Sequence, residues 1–90
     1  MVVLEIPLFI DEPCCVSLPL NHEILSVQAV NNTPMLNVLD KTELGMENQD
    51  SVFCCYTQNQ VLPYRKNFQY IGSCVIFNKQ YHVFKFLGDA

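Results

Sequence analysis

The chain has 90 residues, 50% of them apolar, and nine acids against five lysines and arginines give a net charge of −4. That length implies one domain with a thin core, the apolar share argues against disorder, and three glycines are too few for a phosphate-cradling Gly-rich loop. No apolar run approaches the roughly 20 residues that cross a bilayer, so the sequence predicts a soluble protein with no membrane partner.

Short apolar stretches broken by turn residues about every ten positions are the pattern of a β chain. Val2–Ile10 reads as the first strand, placed at a sheet edge because Pro7 cannot donate to an inner ladder. It is apolar, yet it lacks a basic flank and a small-residue cleavage site, so it does not read as a targeting peptide. Asp11–Pro13 turns the chain into a short strand, Cys14–Leu18. Ile24–Val30 is the clearest strand: Leu25, Val27 and Ala29 alternate with Ser26 and Gln28 and are expected to face a core. Asn31–Pro34 is turn chemistry, and Met35–Leu39 returns to complete a hairpin.

Asp40–Asp50 is polar and holds Gly45, which predicts an exposed loop with at most one helical turn. Val52–Thr57 reads as a strand with apolar residues on both faces, and Gln58–Gln69 as irregular chain around Pro63. Tyr70–Phe77 and Gln80–Leu87 form a last hairpin turning at Asn78-Lys79. No helical apolar stripe appears. The expected fold over residues 1–90 is mainly β, a small antiparallel sandwich or partly open barrel of about six or seven strands.

Five cysteines, including the adjacent pairs Cys14-Cys15 and Cys54-Cys55, do not suit a secreted disulfide framework. They read as reduced small hydrophobes of a cytoplasmic protein, one of each pair facing inward. Zinc needs paired Cys or His at ligand spacing, and the sequence has none, so no metal or other cofactor is expected. His22 sits in a turn beside Glu23 and reads as solvated; His82 shares a strand face with Phe84 and Phe86 and reads as packed. With no nucleophile–base pattern and no paired carboxylates at sheet spacing, the chain is not expected to be an enzyme.

Charge is unevenly distributed. Residues 1–50 hold eight acids against Lys41, and residues 51–90 hold Arg65, Lys66, Lys79 and Lys85 against Asp89. Either the fold keeps these halves apart as a two-faced field, or it interleaves them and they neutralise each other. The segment Tyr64–Tyr70, "YRKNFQY", mixes a basic pair with three aromatics, which suits stacking on a base and neutralising a phosphate. Net acidity disfavours direct binding to long nucleic acid. The apolar surplus also fits a homo-oligomer interface.

Taken in order, "EIPL" (Glu5–Leu8), "VSLPLNHEILSVQAVNNTPMLNVLD" (Val16–Asp40), "YIG" (Tyr70–Gly72) and "YHVF" (Tyr81–Phe84) resemble a family of small uncharacterised bacteriophage and prophage proteins. Its members run "YPL", "LP…ILSVQ", "LW", "GTG", "YIG" and "WHVF". Here Asn37 and Tyr81 stand where relatives have Trp, and Tyr56–Pro63 replaces the "GTG" loop. The resemblance implies a phage accessory protein in the host cytoplasm that binds and inhibits a host protein, as an anti-defence factor. Glu43, Glu47 and Asp50 of the acidic loop are the expected partner-binding residues, since carboxylates steer association with a basic partner. The alternative is an oligomeric sponge for an anionic nucleotide, using Tyr56, Tyr64, Arg65 and Lys66. A virion structural role is a third reading.

Overall fold

Alternating apolar residues and two-residue turns of left-handed backbone set the architecture seen in the computed structural model, which describes residues 1–42 and 47–89. Among the described residues there are seven strands and no helix: β1 (Val2–Pro7), β2 (Cys14–Pro19), β3 (His22–Val30), β4 (Thr33–Asp40), β5 (Asn48–Thr57), β6 (Lys66–Ile76) and β7 (Lys79–Asp89). They form two antiparallel sheets, of order β1-β4-β3 and β2-β5-β7-β6. Of the two forms expected from the sequence, a small antiparallel sandwich or a partly open barrel, the sandwich is what forms, with β1 at an edge, where Pro7 is tolerated.

The inner faces meet in one core. Leu36 and Val38 of β4, with Leu4, Ile6, Ile24 and Val27 around them, pack against Val16, Leu18, Phe53, Cys55 and Val83 of the four-stranded sheet. Phe53 is the largest side chain fully withdrawn from water. A smaller cluster of Cys74, Ile76 and Tyr81 extends the core under Ile10. The sandwich closes along β3 and β6, where a Cβ at Gly72 would lie 3.2 Å from Val27 Cγ2. Only a bare backbone lets the two strands come so near.

Three local expectations are corrected. In β3 the pairing register shifts between Ile24 and Ser26, so Leu25 is the extra residue of a bulge and the alternation changes phase. Ile24 and Val27 pack on the core, while Leu25 is 47% exposed and Ala29 also faces water. The last hairpin turns at Phe77-Asn78, one residue earlier than expected, with φ of 48° and 64° and Ile76 opposite Lys79. The other hairpin turns at Asn31-Asn32, with φ of 51° and 60°. Such paired positive φ values match the right-handed twist of the flanking strands. Strand structure also reaches further than the polar composition implied, beginning at Asn48 for β5 and Lys66 for β6.

The cysteine pairs behave differently from each other. Cys14 faces in and Cys15 is exposed, as alternation requires, but Cys54 and Cys55 are both buried. Cys55 lies in the core, whereas Cys54 shares the opposite face with Tyr56 and is covered there.

Candidate functional site

The outer face of the four-stranded sheet, turned away from the sandwich core, is aromatic. Tyr56 on β5 stands opposite His82 on β7, and Phe68 and Tyr70 on β6 stand opposite Phe86 and Phe84. Because side chains on paired strands share a face when their residues are partners, these six rings gather on one surface. They touch edge to face or tilted: Tyr70–Phe84 centroids are 5.3 Å apart, Phe68–Phe86 5.8 Å, Phe68–Phe84 5.9 Å, and Tyr56 is 6.0 Å from both Phe68 and Phe84. That geometry suits the ring quadrupoles and holds each ring in place. Burial pushes the Tyr56 phenol above its ordinary titration range, with the Cys54 thiol alongside adding to the shift.

Residues 58–65 lie across this face. β5 and β6 both pair antiparallel with β7 and so run parallel to each other. The chain must therefore return from Thr57, level with Tyr81, to Lys66, level with Asp89, before β6 can start. Eight strand positions at about 3.3 Å make that roughly 26 Å, which leaves the segment little slack. It is tied down at its first end. The Gln60 N–H donates to the Thr57 carbonyl (3.2 Å), and the Gln60 Oε1 accepts from the Thr57 N–H (3.0 Å) and hydroxyl (3.2 Å). His82 Nε2 donates to Gln58 Oε1 at 2.9 Å, which leaves Nδ1 to accept from the Tyr70 hydroxyl at 3.2 Å. Asn59 and Arg65 bracket the strap with left-handed backbone, φ 68° and 61°.

Under the strap is a cavity of about 160 Å³, lined by Tyr56, Gln58, Gln60, Leu62, His82 and Phe84, with Thr57 and Asn59 at its edge. A neighbouring hollow shares Thr57 and Gln58 and adds Asn78, Lys79 and Gln80. Among the described residues no three His, Cys, Asp or Glu groups converge as metal ligands.

The expected site residues divide between these features. Glu43 lies outside the described residues. Glu47 is exposed just before β5, its carbonyl accepting from the Leu20 N–H at 3.2 Å. Asp50 is exposed on β5, two and four residues from the outward Val52 and Cys54, and so stands on the rim of the aromatic face. It lines one hollow with Val52 and Phe86. Tyr56 belongs to the aromatic cluster, but Tyr64, Arg65 and Lys66 lie at the other end of the strap. There the Arg65 guanidinium is 5.4 Å from the Tyr64 ring centre, and Lys66 Nζ is 5.4 Å from the Phe86 ring and 2.6 Å from the Asp89 carboxylate. His82, Phe84 and Phe86 were readable as one strand face; the strap over them was not, because it depends on strand order.

The charge asymmetry persists in three dimensions. The strands of the three-stranded sheet hold Glu5, Glu23 and Asp40 and no lysine or arginine. Those of the four-stranded sheet hold Lys66, Lys79 and Lys85 against Asp50 and Asp89. No helix of the described residues is long and apolar enough to cross a membrane. In comparisons with known proteins, residues 1–87 match the model of a family described as Domain of unknown function (DUF7352). No curated protein and no solved structure matches the chain significantly.

Proposed function

The chain belongs to this family, whose description assigns no activity, and we propose that it is a non-enzymatic binding protein whose docking surface is the aromatic outer face of the four-stranded sheet. Following the resemblance to phage proteins, its partner is a host protein, of a bacterial defence system, inhibited by stoichiometric capture. The observation that carries the docking surface is the cluster of Tyr56, Phe68, Tyr70, Phe84 and Phe86 on the outer face of the sheet, which the 58–65 strap crosses and on which Tyr70 stays exposed.

Aromatic side chains dominate the energetics of protein interfaces because they bury much area at little cost in side-chain entropy. Here the rings already hold one another, so ordering them on binding costs less still. Tyr70 and Val75 are 53% and 60% exposed on β6, and both remain available to a partner. Asp50 and the Lys66–Asp89 pair supply a polar rim.

The test uses the chain as bait in extract of the bacterial host, followed by affinity measurement on the purified pair. Tyr70→Ala is expected to weaken that pair by about tenfold or more. Asp50→Lys and Glu47→Lys are expected to act mainly on the association rate and its salt dependence, as rim charges do. Undiminished affinity in Tyr70→Ala would overturn the assignment of the surface.

A further inference from the structure

We propose that the cavity beneath the 58–65 strap is a binding site for the base of a nucleotide, with Lys79 taking its phosphate. This inference does not depend on the protein-docking reading, because it concerns an open hollow at one end of the face.

The cavity's walls have the composition that base recognition needs. Tyr56 and Phe84 line it, and stacking on an aromatic side chain is worth roughly 1–3 kcal/mol for a base and is indifferent to its identity. Around them stand groups that can read a base edge. Gln58 and Gln60 both spend their amide oxygens on the protein, on His82 and on Thr57. Their NH₂ groups meet no protein acceptor among the described residues, so each is a donor for a ring nitrogen or carbonyl of a base. At about 160 Å³ the space is well below the roughly 300–1,000 Å³ of sites for drug-sized ligands, so it takes one ring system and leaves sugar and phosphate outside.

The exit leads to a cation. Thr57 and Gln58 line both this cavity and the hollow holding Lys79, Asn78 and Gln80. A ring seated on Tyr56 and Phe84 would thus project its substituent towards the Lys79 ammonium. At the opposite end of the strap the Lys66 ammonium is already paired, 2.6 Å from the Asp89 carboxylate, and the Arg65 guanidinium lies 5.4 Å from the Tyr64 ring, whereas Lys79 lines the hollow that adjoins the cavity. Of the four residues read from the sequence as a nucleotide site, only Tyr56 belongs to this one.

The strap forms the outer wall. Its left-handed residues, Asn59 and Arg65, stand near its two ends, and the part between them carries the 89% exposed Val61. Leu62 adds an apolar side chain to the lining from the strap.

The experiment is thermal-shift and calorimetric titration of the full chain with the four ribonucleoside monophosphates, their nucleosides and ribose 5-phosphate, at up to millimolar concentration. At least one nucleotide is expected to raise the melting temperature, since a ligand of the native state must stabilise it. Gln58→Ala is expected to weaken binding by about five- to tenfold, the effect of one lost hydrogen bond. Lys79→Ala is expected to weaken the nucleotide several-fold and leave its nucleoside unchanged. Both residues are exposed, so both variants keep the fold, which far-ultraviolet circular dichroism verifies. The proposal is overturned if no nucleotide or nucleoside shifts the melting temperature. It is overturned equally if ribose 5-phosphate binds as well as the nucleotides, or if Gln58→Ala binds like the wild type.

Discussion

Single residues in this fold carry conformational costs that the sequence hides. Phe77 sits at φ 48° in the last hairpin turn, where a side chain other than Gly, Asn or Asp crowds its own backbone. It is also 76% exposed, so its ring contributes little packing in return. Phe77→Asn is therefore expected to stabilise the protein by about 1 kcal/mol, read as a rise of about 4–8 °C in Tm. The cysteines make a second prediction at this scale. Cys15 is exposed and the other four are buried, so one thiol should react with an aromatic disulfide reagent in the native state, and all five after unfolding. Burial, with the neighbouring thiols adding to it, pushes the Cys55 pKa from 9.0 up to about 12. A raised acid pKa leaves stability unaffected below the unfolded value and subtracts from it above that value. Urea-unfolding free energies should thus stay level towards pH 9, decline between there and about 12, and decline less in Cys55→Ala.

At the scale of the element, the legible features were those that depend on near neighbours. Alternation between Ile24 and Val30 marks a strand, Asn31-Asn32 marks its turn, and Pro7 places β1 at an edge. The bulge at Leu25 was not legible, since the residues that face the core are decided by how β3 pairs with β4 and approaches β6. Gly72 belongs to the same approach. A side chain there would press on Val27, whose Cγ2 is already at 3.2 Å from where a Cβ would stand. Gly72→Val is expected to cost about 1–3 kcal/mol by overpacking. Combining it with Val27→Ala should recover a measurable part of that loss, because residues in contact do not act independently. Additive losses in the double variant would show that β3 and β6 do not meet at this point. The strap over the aromatic face escaped the sequence for the same reason. Residues 58–65 read as irregular chain until β5 and β6 prove to run parallel to each other on either side of β7.

For the whole molecule, the two sheets divide the labour that composition only hinted at. The three-stranded sheet carries acids and no lysine or arginine in its strands, while the four-stranded sheet carries most of the lysines and a surface of rings. A net charge of −4 thus conceals a face of rings on which, in the proposed reading, apolar contact would be the main source of affinity. The central claim is that this face, and not the acidic side, meets the partner. The most direct measurement is chemical-shift mapping of the isotope-labelled chain against its purified partner. The ring resonances of Phe68, Tyr70, Phe84 and Phe86 are predicted to shift or broaden, while Glu5, Ser26 and Asn37 on the outside of the three-stranded sheet stay in place. Shifts confined to Glu5, Glu23 and Asn37, with the rings unmoved, would contradict it.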